Sequence, residues 1–185
     1  MPDVDVRPVA SKRDLNAFIK LPFRIHRDHP RWVPPLIFDR KSFLNRKKNP
    51  FFDHAEAEFF LAERDGRVVG RITAHIDKRW DEYQGGNDGM FGFFESENDP
   101  EVARALVETA TDWVRARGRD RMLGPMDFTT NDECGLLVDG YDQPPIILQP
   151  WHPPYYRNHL EAVGMTKTIA SSVCIHSASS RSSST

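Results

Sequence analysis

Carboxylates and polar groups that could do chemistry gather in the second half of the chain. Residues Glu95-Ser96-Glu97-Asn98-Asp99-Pro100-Glu101 hold four acids and no glycine. A carboxylate in such a place either takes a proton from a reacting group or caps a helix and complements its dipole. Asn131, Asp132, Glu133 and Cys134 form a second polar cluster. A cluster of this kind contacts substrate from a loop, or stabilises a turn by bonding its own backbone. Cys134 has no Cys-His spacing motif around it and reads as a small buried thiol. The seven histidines show no HExxH or Cys/His pattern of a metal site, and His152 and His159 read as surface residues. Arg46-Lys47-Lys48 reads as a solvated helix end rather than a phosphate site.

The elements that must position these residues follow from local patterns. Val4, Val6 and Val9 suggest a first strand. Ser11, with Asp14 three residues on, starts a helix with Leu15, Phe18 and Ile19 on its apolar face. Pro22 is expected to end or kink that helix, because proline lacks the N–H and clashes with the preceding turn. Trp32, with Pro30, Pro34 and Pro35, reads as a loop anchored on the core. A second helix is expected from Leu36 to about Leu44. The run AEAEFFLAERDGRVVGRITAHID reads as two half-buried strands around an Asp65-Gly66 turn. A polar, Gly-rich turn over 84–89 precedes the strand MFGFFE. Asp99-Pro100-Glu101 starts a long helix closed by Gly118. RMLGPM reads as a short strand, IILQ as a possible one, Tyr155 to about Val163 as a helix, and Thr168 to Ile175 as a last strand. Antiparallel strands followed by a helical crossover give an α/β (α+β) class with a mixed, mostly antiparallel sheet and helices on both faces.

The chain has 185 residues, enough for one domain with its own core. Residues 1–175 are read as that domain, and 176–185 as a disordered Ser-rich tail. A formal net charge of −2 gives no basic stripe for nucleic acid. No apolar run reaches the length of a membrane span, and the charged N-terminus lacks a signal core. The expected compartment is the cytoplasm.

The segments LPFRIHRDHPRWVPPL, KNPFFDHAEAEFFLAERDGRVVGRI, FGFFE, NDECGLLVDGYD and PPYYRNHLEAVGM resemble an uncharacterised bacterial family within the GNAT superfamily of acyl-CoA-dependent N-acyltransferases. The resemblance implies acetyl-CoA or another acyl-CoA as co-substrate and a small-molecule amine as acceptor. It also implies a continuation carrying a second acyltransferase-like half. Its strands would splay so that pantetheine lies along the backbone of Phe93, Phe94, Glu95 and Ser96, with Glu95 as general base. Tyr155 or Tyr156 would be the general acid, although the superfamily's usual tyrosine position holds Leu160. Asn131, Asp132 and Glu133 would meet substrate. The superfamily's glycine-rich diphosphate loop is replaced here by the acidic run, which opposes a diphosphate. The alternative is a degenerate GNAT fold that binds a ligand or packs on a partner domain.

Overall fold

The computed structural model describes residues 3–168, so the expected last strand beyond Thr168 and the Ser-rich tail lie outside the described residues. In chain order the elements are β1 (Asp5–Pro8), α1 (Lys12–Ile25), α2 (Ile37–Phe43), a 3-10 turn (Pro50–Asp53), β2 (Ala55–Arg64), β3 (Arg67–Asp77), α3 (Lys78–Gln84), β4 (Asp88–Ser96), α4 (Pro100–Arg115), β5 (Arg121–Leu123) and α5 (Tyr155–Ala162). The strands lie side by side in that order. β1 to β4 are antiparallel, and β5 runs parallel to β4. The mixed sheet with helices on both faces is as expected. α4 and α5 cover a face built from Phe60, Ala62, Ile72, Phe91 and Phe94. α1 and α2 cover the other, where Phe59, Leu61 and Phe93 meet Phe128.

Local chemistry explains most of these boundaries. Asp65 and Gly66 both have positive φ, 54° and 73°, the backbone that a two-residue hairpin turn needs to match strand twist. Ser11 caps α1 in a full capping box with Asp14. The Asp99 side chain caps α4 by accepting from the Glu101 N–H, with Pro100 in the first turn. β2 and β3 differ from the half-buried expectation: both of their faces are covered, so the run FFLA is buried throughout.

Two expectations fail for identifiable reasons, and one helix was not expected. Pro22 does not end α1, which runs on to Ile25. A proline leaves the carbonyl four residues earlier without its helical donor. Here that carbonyl, of Phe18, accepts from Arg71 Nη1 of β3 at 2.7 Å, so a tertiary contact replaces the lost bond. Ile146 to Gln149 form no strand, and Ile147 is 90% exposed. Lys78 to Gln84 form α3, which has no buried residue and so no apolar periodicity to reveal it. Its ends are set locally, by the Asp77 cap and by Gly85 at φ 64°.

Candidate functional site

The site is built around an irregularity in β4. Across β3, Arg71 faces Glu95 and Thr73 faces Gly92, so Phe93 and Phe94 together oppose Ile72. This is a β-bulge, a device that re-aims side chains near functional centres. Phe93 adopts φ 48°, a left-handed conformation that costs a non-glycine residue roughly 1–2 kcal/mol. It is held by the Asp127 carboxylate, whose Oδ1 accepts from the Phe93 N–H at 2.7 Å. The chain after β5 crosses β4 closely at this point. A Cβ on Gly92 would stand 1.9 Å from the Met126 carbonyl oxygen. β4 and β5 pair only as far as Met90 and Leu123.

Glu95, beyond the bulge, is the hub of a buried polar cluster. Its Oε2 accepts from the Tyr156 hydroxyl at 2.6 Å and lies 2.7 Å from His26 Nε2. Its Oε1 is 3.5 Å from Arg71 Nη2. Burial by itself would raise the Glu95 pKa. His26, Arg71 and the Tyr156 hydroxyl outweigh that and hold it down at about 2. Glu95 is therefore a firmly ionised carboxylate and a weak base. Burial and the Glu95 charge push the Tyr156 phenol well above its ordinary value, so it stays a neutral donor.

Four elements meet here. Arg71 from β3 reaches past Glu95 to the carbonyl that Pro22 leaves open on α1. His26 caps the end of the same helix, donating its N–H to the Pro22 carbonyl. α5 supplies both tyrosines. The Tyr156 hydroxyl also accepts from the Ser96 N–H at 2.9 Å, and Tyr155 donates to the Ser96 carbonyl at 3.0 Å. Aromatic rings enclose His26: Trp32 at 5.1 Å between centroids, Trp151 at 5.8 Å and His29 at 6.0 Å. His152 packs on Tyr156, and its burial lowers its pKa to about 4.

Of the residues read from the sequence, Glu95 and Tyr156 touch, whereas Tyr155 bonds to the neighbouring Ser96 carbonyl. His26, Arg71, Asp127 and His152 were missed. His152 and His159 are buried, not surface residues, because the loop and α5 fold back over the sheet. The backbone expected to face pantetheine is partly taken. The Phe93 N–H goes to Asp127 and the Ser96 N–H to Tyr156, while Phe93 and Phe94 send their rings into opposite core layers.

The loop residues divide. Asn131 is exposed. Asp132 closes a turn by accepting from the Thr129 N–H and hydroxyl at 3.1 and 2.7 Å. Glu133 pairs with Arg40 of α2. None of the three bonds to the Glu95 cluster among the described residues. Asp132 and Glu133 instead line an open groove of 610 Å3 beside α2, with Leu36, Phe38 and Leu148 on its apolar wall. The Asp127 carboxyl is pushed up to about 7 by burial and by Glu133, against the pull of Arg40. The Cys134 thiol is half-buried and raised by burial.

At the α4 N-terminus the acids are not free. Glu97 pairs with Arg24 and Arg67, and Arg64 pairs with both Asp99 and Glu101. Three carboxylates are thus matched by three guanidinium groups, and Asp99 already fills the helix cap. A diphosphate entering here would have to displace that cap and take over the arginines.

No known family model matches this chain. It is 45% identical over 166 residues to the bacterial ceramide synthase of Caulobacter vibrioides, covering 89% of this chain and 43% of that protein. It is 39% identical over 164 residues to protein YghO of Escherichia coli, with 89% and 42% covered. The chain therefore spans less than half the length of these relatives. Among solved structures, a tandem GNAT protein from the clavulanic acid biosynthesis pathway aligns with a TM-score of 0.58 at 17% identity, over 88% of this chain and 43% of that one. A predicted acetyltransferase with acetyl-CoA from Clostridium acetobutylicum aligns at a TM-score of 0.56 and 10% identity, over 93% of this chain and 96% of that one. The fold is that of the GNAT acetyltransferases, a class whose structures include complexes with acetyl-CoA and with CoA. Among the described residues, no helix is long and apolar enough to cross a membrane.

Proposed function

We propose that this chain is an acyl-CoA-dependent N-acyltransferase domain, and that its acceptor is a long-chain amine. One observation carries the reading: a buried, ionised Glu95 stands beyond the β4 bulge with His26 and Tyr156 bonded to one oxygen and Arg71 near the other. Such a cluster can receive and stabilise the proton that an amine loses when it attacks a thioester. The acyl-CoA would lie along β4 at Phe93 to Ser96, and the proton leaving the amine would pass to the Glu95 cluster. Tyr155 and Tyr156 are the neutral phenols beside the departing thiolate. The relative named a ceramide synthase supports an amine that bears a long apolar chain. Asp132 and Glu133, with Leu36, Phe38 and Leu148, would guide that chain along the open groove.

The test is direct. The protein is incubated with sphinganine in mixed micelles and with acetyl-, octanoyl- or palmitoyl-CoA. Release of free thiol and N-acyl product is followed, the latter by mass spectrometry. Amine-dependent thiol release with an N-acylated product is expected. No product with any of the three acyl donors overturns the reading.

A second reading, a non-catalytic GNAT-fold module that packs on a partner domain, has its own support. The α4 N-terminus is closed by Asp99 and its acids are paired with arginines. Two of the N–H groups expected to face pantetheine are also engaged. Calorimetry with acetyl-CoA separates the two, since this module would bind none.

A further inference from the structure

Glu95 is poorly placed to be the group that takes the proton, because its Oε2 already holds the Tyr156 hydroxyl and His26 Nε2 and its Oε1 faces Arg71. The group next to it has a different property. His26 uses Nε2 for the 2.7 Å contact with Glu95 Oε2. Its Nδ1 is buried and has no hydrogen-bond partner among the described residues. A carboxylate that accepts from one imidazole nitrogen fixes the tautomer and leaves a lone pair on the other. It also stabilises the imidazolium formed when that lone pair takes a proton. A buried nitrogen without a partner is costly, and a bound N–H donor would relieve the cost.

The surroundings of Nδ1 suit an amine. Trp32 and Trp151 flank the imidazole, and His29 lies against both His26 and Trp151, the latter at 4.8 Å. Aromatic faces attract an amine that arrives as ammonium. Trp32 and His29 are only partly buried, so they form the side from which a ligand would enter. Among the described residues, Glu95 of β4, Tyr156 of α5, His29 of the loop after α1 and His152 of the loop before α5 face His26, Arg71 of β3 stands behind Glu95, and the exposed Asp28 acts on His29. Glu95 is the carboxylate bonded to His26, on the Nε2 side.

We infer that the acceptor amine docks against His26 Nδ1 between Trp32 and Trp151, and that His26 is the general base, with Glu95 as its positioning residue. This rests on the N-acyltransferase reading above and assigns its proton acceptor. An ammonium that arrives first gives one proton to water. The neutral nitrogen then attacks the acyl carbonyl carbon, the new C–N bond forms and the C–S bond breaks. The amine's proton passes to Nδ1, the thiolate leaves and takes a proton from solvent, and the imidazolium returns its proton to water.

The experiment uses His26→Gln, whose amide nitrogen can keep the bond to Glu95 while the Nδ1 lone pair is lost, and Glu95→Gln, which keeps the imidazole and removes the charge behind its Nε2. With sphinganine and palmitoyl-CoA, H26Q is expected to lower kcat about 100-fold or more and to abolish the acid limb of the kcat profile, with KM for palmitoyl-CoA little changed. E95Q is expected to keep measurable activity at a lower kcat, because the imidazole that takes the proton is still present. An H26Q protein within threefold of the unaltered kcat and with the same limb overturns the assignment while leaving the acyltransferase reading intact. No turnover by the unaltered protein overturns both. Should either variant fail to fold, nitrogen-15 NMR of the unaltered, histidine-labelled protein decides. The Nε2–H tautomer is expected at His26, with an Nδ1 resonance that shifts when sphinganine is added. An Nδ1–H tautomer, or no shift at saturating amine, overturns it.

Discussion

Replacing Glu97 and Glu101 with glutamine should tighten acetyl-CoA binding, and the structure sets the size of the effect. Glu97 holds Arg24 and Arg67, and Glu101 shares Arg64 with Asp99. The double change removes two negative charges from the helix end that would face a diphosphate and releases two guanidinium groups towards it. Glu97 is about one-quarter exposed at its side chain and Glu101 about half, so water screens both. A unit charge near 4 Å in water is worth about 1 kcal/mol, and exposed pairs give between 0 and about 1. The combined gain is then roughly 1 kcal/mol, about fivefold in affinity. Calorimetry at low salt should show it, and the gain should fall within about twofold at 1 M salt, where the Debye length is about 3 Å. Glu108→Gln, on the same helix but paired with Arg104, serves as the control and should change nothing. Equal affinities for the unaltered and double-variant proteins at low salt would refute the electrostatic argument. So would a gain that survives high salt.

Gly92→Ala should destabilise the protein by about 3 kcal/mol or more, since the new methyl would meet the Met126 carbonyl at 1.9 Å and overpacking against backbone has nowhere to relax; an unchanged urea midpoint would contradict the close crossing. Burial lowers His75 from 6.5 to about 4, so only the unfolded chain takes the proton in that interval, and the stability this neutral histidine supports falls as pH drops from 6.5 to 4. His75→Leu should make that part of the pH–stability curve less steep in the His75 direction, measured by urea unfolding, leaving the opposed slopes due to His152 and Asp127; an unaltered curve would place His75 in a wetter setting. Asp127, raised from 3.8 to about 7, has the opposite sign: its contribution is full below 3.8 and is lost as pH rises through 7. Asp127→Asn keeps an oxygen for the Phe93 N–H, so it should raise stability at pH 8 relative to pH 4; equal losses at both pH values would show that the pair with Arg40 dominates.

What the sequence by itself determined is local. The Asp65-Gly66 turn, the Ser11 capping box and the Asp99-Pro100-Glu101 helix start each lie within a few residues, where backbone conformation and short-range hydrogen bonds decide the outcome. From these, and from apolar runs bounded by turns, the mixed sheet and its two helical layers could be read. Glu95 and the tyrosine pair were also visible as residue types, though not their contact. The tertiary structure decided everything that depends on partners far along the chain. Pro22 stays within α1 because Arg71, 49 positions away, takes the freed Phe18 carbonyl at 2.7 Å. Phe93 keeps a strained backbone because Asp127 holds its N–H. The acids at the start of α4 are neutralised by arginines from α1, β2 and β3. His26 looks like one more polar residue at a helix end. It becomes a buried imidazole with one free nitrogen only when β4, α5 and two loops close around it, because desolvation and tautomer choice are properties of an enclosure that no single segment contains.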